Sequence, residues 1–247
     1  MSLRLQRKPA LADDGDELTF CSTCAFSKVC LPHGFDKAQL RDLHVLVEHI
    51  GPFHAGEHIF REGDPFNAIA AVRSGSVKTY VVDSVGREQV QGFFLPGELI
   101  GLNAISHEAY PCDAVALETV LLCRFSFPML AALATQISGV QAALFRLLSE
   151  DINKAALLAG NFSAAERMAA FLLTLAKRHQ ARGYSAHRFQ LTMARTDIGN
   201  YLRLTPETVS RVLRRFQDQG LVRIERRDVT LLDRDRLHTV AREILRA

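Results

Sequence analysis

The sequence predicts an α+β protein of two domains: a roll of short antiparallel strands, then a long helix, then a basic helical domain closed by a small hairpin. Three observations carry this. Between His58 and about Phe127, short alternating or apolar runs (HIF, AIAAV, SVKTYVV, QVQGFF, AVALETVLLCRF) are punctuated by Gly51, Gly56, Gly63, Gly75, Gly86, Gly92, Gly97 and Gly101, a spacing that suits a compact sandwich or roll. From Pro128 to Gly160 the apolar period changes from two to three and four, which is helical. Charge also divides: residues 163–247 hold 17 Lys and Arg against 9 Asp and Glu, whereas the remainder holds 13 against 18, for the net +3 of the whole chain.

Length and composition bound the rest. The 247 residues, 48% hydrophobic and 23% charged, are ordinary globular values that exclude disordered, collagenous and disulfide-dense classes. No apolar run approaches the ~20 residues that span a bilayer, and MSLRLQRKPALADDGDEL lacks the apolar core of a secretory signal. A cytoplasmic protein without membrane contact is expected. The expected segments are an arm over 1–18, a cysteine-containing roll over 19–135, a helix and hinge over 136–162, and a basic domain over 163–247. DSVGREQ, Asp83 to Gln89, reads as the tip of one hairpin.

The long helix offers two apolar stripes. One runs through Ile137, Val140, Leu144 and Leu147 into Asp151 and Lys154; the other runs through Phe145, Leu148, Ile152, Ala155 and Ala159. Two stripes fit a helix that packs on its own domain with one face and on a second copy with the other, so Phe145, Leu148, Ile152 and Ala155 are the expected seam of a homodimer. A single wide core stripe is the alternative. After GNFS, Ser163 and Glu166 are spaced as a capping box.

Thr196 to Phe216 reads as two short helices broken near Arg203 to Thr205, with Thr205 as N-cap and Pro206 at the first helical position, both favourable there. In the second helix Val209, Val212, Leu213 and Phe216 form an apolar face, while Glu207, Ser210, Arg211 and Arg214 share the opposite one. Arg can bond guanine O6 and N7 together, Glu can accept from cytosine N4, and Ser is adaptable. That face therefore offers what base reading needs, with its reading positions in the first turns of the helix, as a recognition helix requires. Arg195, Arg203, Thr205, Thr208 and Arg215 are expected phosphate contacts, which position without reading. LVRIERRDVTLLD reads as two strands about a charged turn, making the whole a winged helix-turn-helix. Basic charge confined to this domain agrees with a polyanionic partner, double-stranded DNA.

Cys21, Cys24 and Cys30 stand in the spacing C-x2-C-x5-C, with Cys112 and Cys123 far downstream. In a cytoplasmic protein this favours metal or redox chemistry over structural disulfides: an iron–sulfur cluster, zinc, or a dithiol switch. One of the two distant cysteines is the expected fourth ligand and the other a core residue.

CSTCAFSKVCLP, RSGSVKTY, GFFLPGELIG, ALETVLLC, AAERMAAFLL and LTMARTDIGNYLRLTPETVSRVLRRFQ together resemble the FNR proteins, the oxygen-responsive fumarate and nitrate reduction branch of the cyclic-AMP receptor protein superfamily. The resemblance implies a roll of the cyclic-nucleotide-binding kind and a [4Fe–4S] cluster held by Cys21, Cys24, Cys30 and Cys123, the last because it ends ALETVLLC. It implies a dimer favoured by the intact cluster and weakened by oxygen, with Glu207, Ser210 and Arg211 reading a palindromic TTGAT-like site. Activation of anaerobic or microaerobic genes would follow by contact with RNA polymerase through the Asp83–Gln89 hairpin. Where cyclic-AMP receptors place an Arg-Ser pair for the nucleotide phosphate, this chain has Tyr110 and Pro111, so no cyclic nucleotide is expected. Ala194 stands where the family has a Thr or Ser cap. A regulator of the same fold using zinc or a dithiol is the second reading. An iron–sulfur electron carrier or enzyme is the third; it leaves the basic domain unexplained, and no general acid/base pair or phosphate-cradling glycine loop is present.

Overall fold

The computed structural model describes residues 21, 24–31, 42–43 and 46–246, with the side chains of residues 153–159 outside that set. The arm expected over 1–18 lies outside the described residues. The chain forms two compact units, one holding the described residues to Val81 together with Gly92–Leu148, the other Val82–Gln91 and Ser149 onward.

Eight strands precede the helices: β1 (Val47–Phe53), β2 (His58–Phe60), β3 (Ala68–Ser74), β4 (Val77–Val82), β5 (Glu88–Phe94), β6 (Leu99–Ile100), β7 (Asp113–Ala116) and β8 (Val120–Ser126). They form two four-stranded sheets, in the orders β1-β8-β3-β6 and β2-β7-β4-β5. The pairings within them are antiparallel. Alternation along the strands sends one set of side chains inward. Phe53, Val72, Ile100, Val120 and Leu122 of the first sheet meet Phe60, Val77, Ala114 and Ala116 of the second in one core. Tyr110 and Cys112 are buried in that core, so Cys112 is the core cysteine of the distant pair.

The other face of the first sheet carries a second core, in which Ile69, Ala71, Leu99 and Phe125 pack with Leu31, Leu130, Val140, Ala143 and Leu147. The helical stretch expected from Pro128 onward is two helices: α1 (Phe127–Gln136) and α2 (Ser138–Ala159). They break at Ile137, which is extended at φ −119° and ψ 101°. A β-branched residue followed by Ser138 and Gly139 is poor helix interior, and these residues outweigh the apolar period.

The second unit begins with α3 (Ala164–Ala181), held at its start by the expected capping box. The Ser163 hydroxyl accepts from the Glu166 N–H, and the Glu166 carboxylate accepts from the Ser163 N–H. The Arg167 guanidinium donates to the carbonyls of Phe162 (3.0 Å) and Gly160 (2.8 Å), tying the connecting loop to α3. α4 (Arg195–Leu202) and α5 (Pro206–Asp218) follow. A three-stranded sheet in the order β10-β11-β9 and a closing helix α6 (Arg234–Val240) complete the unit. β10 (Val222–Glu225) and β11 (Asp228–Leu231) are the expected wing. β9 (Arg188–Gln190), paired to β11, is a third strand that its three residues were too short to announce.

Candidate functional sites: a thiol group and a nucleic-acid interface

Cys123 lies on β8, between His49 of β1 and Ala71 of β3 in register. Its neighbour Leu122 points into the core between the sheets, so Cys123 points to the other face, where it and Cys30 pack at the edge of the second core. The segment carrying Cys24 and Cys30 is turn structure. It is seated on Gly97, whose φ is +88° and whose place a Cβ could not share, since it would lie 2.6 Å from Val29 Cγ2 and 3.2 Å from Phe26 Cβ. Leu31, fully buried, plugs the segment into the second core.

All four thiols of the expected set are free and partly buried. Burial and then the charge of Cys24 push the Cys21 thiol up to about 11. Burial and then the charge of Cys21 push Cys123 up to about 12, opposed by the cation Arg73. Cys30 is pushed up further, by burial first, with Cys123, Cys21 and Cys24 adding to it against the Leu31 N–H. The thiols thus lie within electrostatic range of one another. That range is wider than ligation distance, and among the described residues no three His, Cys, Asp or Glu converge on a point as the ligands of a single ion do. Four soft, partly buried thiols, three of them raised in pKa by burial first and by neighbouring thiols second, fit a thiolate-ligated positive centre, which would favour their ionised forms.

The stripes of α2 separate except at Leu148, which belongs to the expected seam but packs against the inner core. Val140, Ala143 and Leu147 are buried and Ile137 and Leu144 partly so, in the same core as Cys30 and Cys123. Phe145 is 62% and Ile152 69% exposed, seven residues apart on the other side. Leu148 is half-buried. Ala155 falls within α2, and its side chain lies outside the described set.

In the second unit the apolar face of α5 (Val209, Val212, Leu213 and Phe216) is buried. Glu207 and Arg211 are exposed and Ser210 half-exposed on the opposite face. Thr205 caps α5 by accepting from the Thr208 N–H at 3.2 Å, and its hydroxyl lies 3.1 Å from that of Thr208. Arg211 reaches the Thr208 hydroxyl and Arg195 the Ser210 hydroxyl, each at 3.4 Å. Five of the eight residues expected to touch nucleic acid, Arg195, Thr205, Thr208, Ser210 and Arg211, are therefore already linked to one another. Arg203 and Arg215 are exposed beside them, Arg203 in the left-handed region at φ 57°. Ala194 precedes α4 with no side-chain cap, as its residue type dictates. Sequence reasoning overlooked Arg226 and Arg227 as candidates; both are exposed at the wing turn, Arg226 with φ 58°, and the pair ERRD was the available signal.

Tyr110, at the expected position of the missing phosphate-binding pair, is built into the core. Its ring stacks on Phe60 with centroids 3.9 Å apart, and its hydroxyl donates to the Ala68 carbonyl at 2.6 Å. Burial is the main reason its hydroxyl is pushed up to about 12.

Comparison with known proteins agrees with both halves of this geometry. The cyclic nucleotide-binding domain family matches residues 51–136, and the Crp-like helix-turn-helix domain family matches residues 166–240. The transcriptional activator protein Anr of Pseudomonas aeruginosa is 43% identical over 216 residues, 86% of this chain and 88% of that protein. The chain belongs to the FNR-type branch of the cyclic-AMP receptor protein superfamily. Among other relatives of this FNR-type regulator, the anaerobic regulatory protein of Haemophilus influenzae is 40% identical, over 86% of this chain and 84% of that one. The solved structure of FixK2 from Bradyrhizobium japonicum is similar with a TM-score of 0.71 and 31% identity, over 78% of this chain and 96% of that one. The FNR-type chain is accordingly a transcription regulator with a DNA-binding helix-turn-helix. No helix among its described residues is long and apolar enough to cross a membrane.

Proposed function

We propose that this FNR-type regulator is an oxygen-responsive activator of anaerobic or microaerobic genes, in which a [4Fe–4S] cluster on Cys21, Cys24, Cys30 and Cys123 controls dimerisation. The observation that carries it is one shared core: Cys30 and Cys123 pack in the same cluster of side chains as the buried stripe of α2. The exposed Phe145 and Ile152 of that helix, with Leu148 and Ala155, form the seam of the homodimer. Bound there, the cluster would supply an oxygen-labile charge centre linking Cys21, Cys24 and Cys30 to Cys123 on β8. When the thiols lose it, the segment seated on Gly97 loses its covalent anchor, and the packing of Leu31 beside α2 is what changes.

Each protomer then presents Glu207, Ser210 and Arg211 to the bases of a TTGAT-like half-site, with Arg195, Arg203, Thr205, Thr208 and Arg215 on phosphates. Two half-sites lie about one helical turn apart in a palindrome. The hairpin tip, where the Asp83 carboxylate accepts from the N–H groups of Val85 and Arg87, is a formed surface for contact with RNA polymerase. The protein works in the cytoplasm, has no catalytic site, and takes no cyclic nucleotide, since Tyr110 and Pro111 offer no cation to a phosphate.

Anaerobic purification followed by iron, sulfide and zinc analysis, with sedimentation before and after air, tests this reading. Iron and sulfide in a dimer that dissociates in air are expected. Zinc without iron would move the reading to a metal- or thiol-responsive regulator of the same fold.

A further inference from the structure

The cation beside Cys123 has a particular origin in the sheet. β3 pairs with β8 in regular register from Ala68↔Ser126 to Val72↔Leu122, and the next pair is Ser74↔Leu121. β3 advances two residues where β8 advances one, so Arg73 is the extra residue of a β-bulge. Bulges lift a residue out of the ladder and re-aim its side chain, and they are frequent beside functional sites. Val72 belongs to the core between the sheets together with Leu122, whereas Ala71 and Cys123 belong to the opposite face. The bulged pair Arg73 and Ser74 stands opposite Leu121, which shares the face of Cys123, and the Arg73 charge is felt at the Cys123 thiol.

The same place receives the cysteine segment. The Gly97 N–H donates to the Val72 carbonyl at 2.7 Å, and the Val72 N–H donates to the Glu98 carbonyl at 2.9 Å. The turn on which Phe26 and Val29 sit is thus bonded to the residue next to Arg73. The bulge, the thiol strand and the seat of the cysteine segment meet at one point.

We propose that Arg73 is a positioning residue that balances the negative charge of the thiolate-bound cluster and so slows its degradation by oxygen. This rests on the cluster reading above. Four thiolates give the assembly a net negative charge. Passing one electron to dioxygen, which would become superoxide, would leave such an assembly one unit less negative. A fixed cation favours the more negative, reduced form and opposes that loss. Arg is suited to this because it stays charged at every working pH.

The test uses anaerobically prepared cluster-loaded protein exposed to air-saturated buffer, following the visible iron–sulfide absorbance and iron release to a chelator. Arg73→Gln should lose its absorbance roughly 10-fold faster than the parent, and Arg73→Lys should restore the parental rate. Arg124→Gln is the control. Arg124 follows Cys123 directly but lies on the opposite face, held by Glu48 at 2.7 Å and Asn67 at 2.8 Å; its loss should leave the rate unchanged. A parental rate in Arg73→Gln, an equal acceleration in Arg73→Lys, or an equal acceleration in Arg124→Gln overturns the proposal. Loading that fails in Arg73→Gln but succeeds in Arg73→Lys is the extreme of the expected result, and failure in both overturns it. A parent protein that takes up no iron and sulfide overturns the cluster reading itself, and this inference with it.

Discussion

Arg203 occupies the left-handed turn between the two DNA-facing helices, at φ 57° and ψ 44°, a conformation that strains any residue with a Cβ. Arg203→Gly should therefore raise the stability of the second unit by roughly 0.5 kcal/mol, the relief of strain exceeding the extra chain entropy of glycine. It should at the same time weaken DNA binding evenly across sequences, a split that a thermal melt and a binding titration read separately. At the start of α3, Ser163→Ala should cost about 1 kcal/mol. Hydrogen bonds from the Ser163 side chain and backbone hold the Glu166 carboxyl below its usual range. Its contribution is therefore complete above its unfolded pKa and is lost as pH falls through the lower folded value. The stability gap between the parent and Glu166→Ala should close over that acid window in denaturant titrations, and a gap that persists at the lowest pH would remove the capping account. Much at this scale was legible in the sequence: Ser163, Glu166, Thr205 and Pro206 act locally, and local chemistry names them. The Arg73 bulge was not legible, because an extra residue in one strand is defined only by the strand it fails to match.

Two helices carry the interface functions, and their faces can be tested independently. Arg211 and Arg215 both lie on the exposed side of α5, four residues apart. Arg211→Ala should cost about 1–3 kcal/mol on the preferred site and relax the preference at one base pair. Arg215→Ala should weaken all sites alike and lower the salt slope by about 1. A competition assay against half-site variants at two salt concentrations distinguishes them, and equal behaviour would remove the division into reading and positioning. On α2, Phe145→Glu or Ile152→Glu should abolish the dimer in sedimentation while leaving the monomer's thermal melt unchanged, because neither side chain is buried in the protomer. The two-stripe pattern was visible in the periodicity, but periodicity alone left a single wide core stripe open, and the burial of Val140 and Leu147 against exposed Phe145 and Ile152 distinguishes the two. The break at Ile137 was hidden, since apolar spacing continues across it.

At the scale of the molecule, division of labour follows from charge and from cores. The acidic unit places Cys30 and Cys123 at the edge of a core that also holds one face of α2. The basic unit presents an α5 face of Glu, Ser and Arg, capped by Thr205 and braced by Arg195. The helix-turn-helix and the cysteine group could be proposed from the sequence because each rests on a short spacing, PETVSR and C-x2-C-x5-C, whereas Cys123 was singled out only by the family resemblance of ALETVLLC. The shared core of Cys30, Cys123 and α2 brings together segments far apart in the chain, and spacing carries no trace of it. The measurement that bears most directly on the account is one anaerobic sample titrated against a palindromic TTGAT duplex, with its mass followed by sedimentation, before and after admission of air. The account predicts a dimer that binds the duplex without oxygen and, as the cluster is lost, dissociates and releases it. A dimer that keeps its mass and its affinity through loss of the cluster would contradict it.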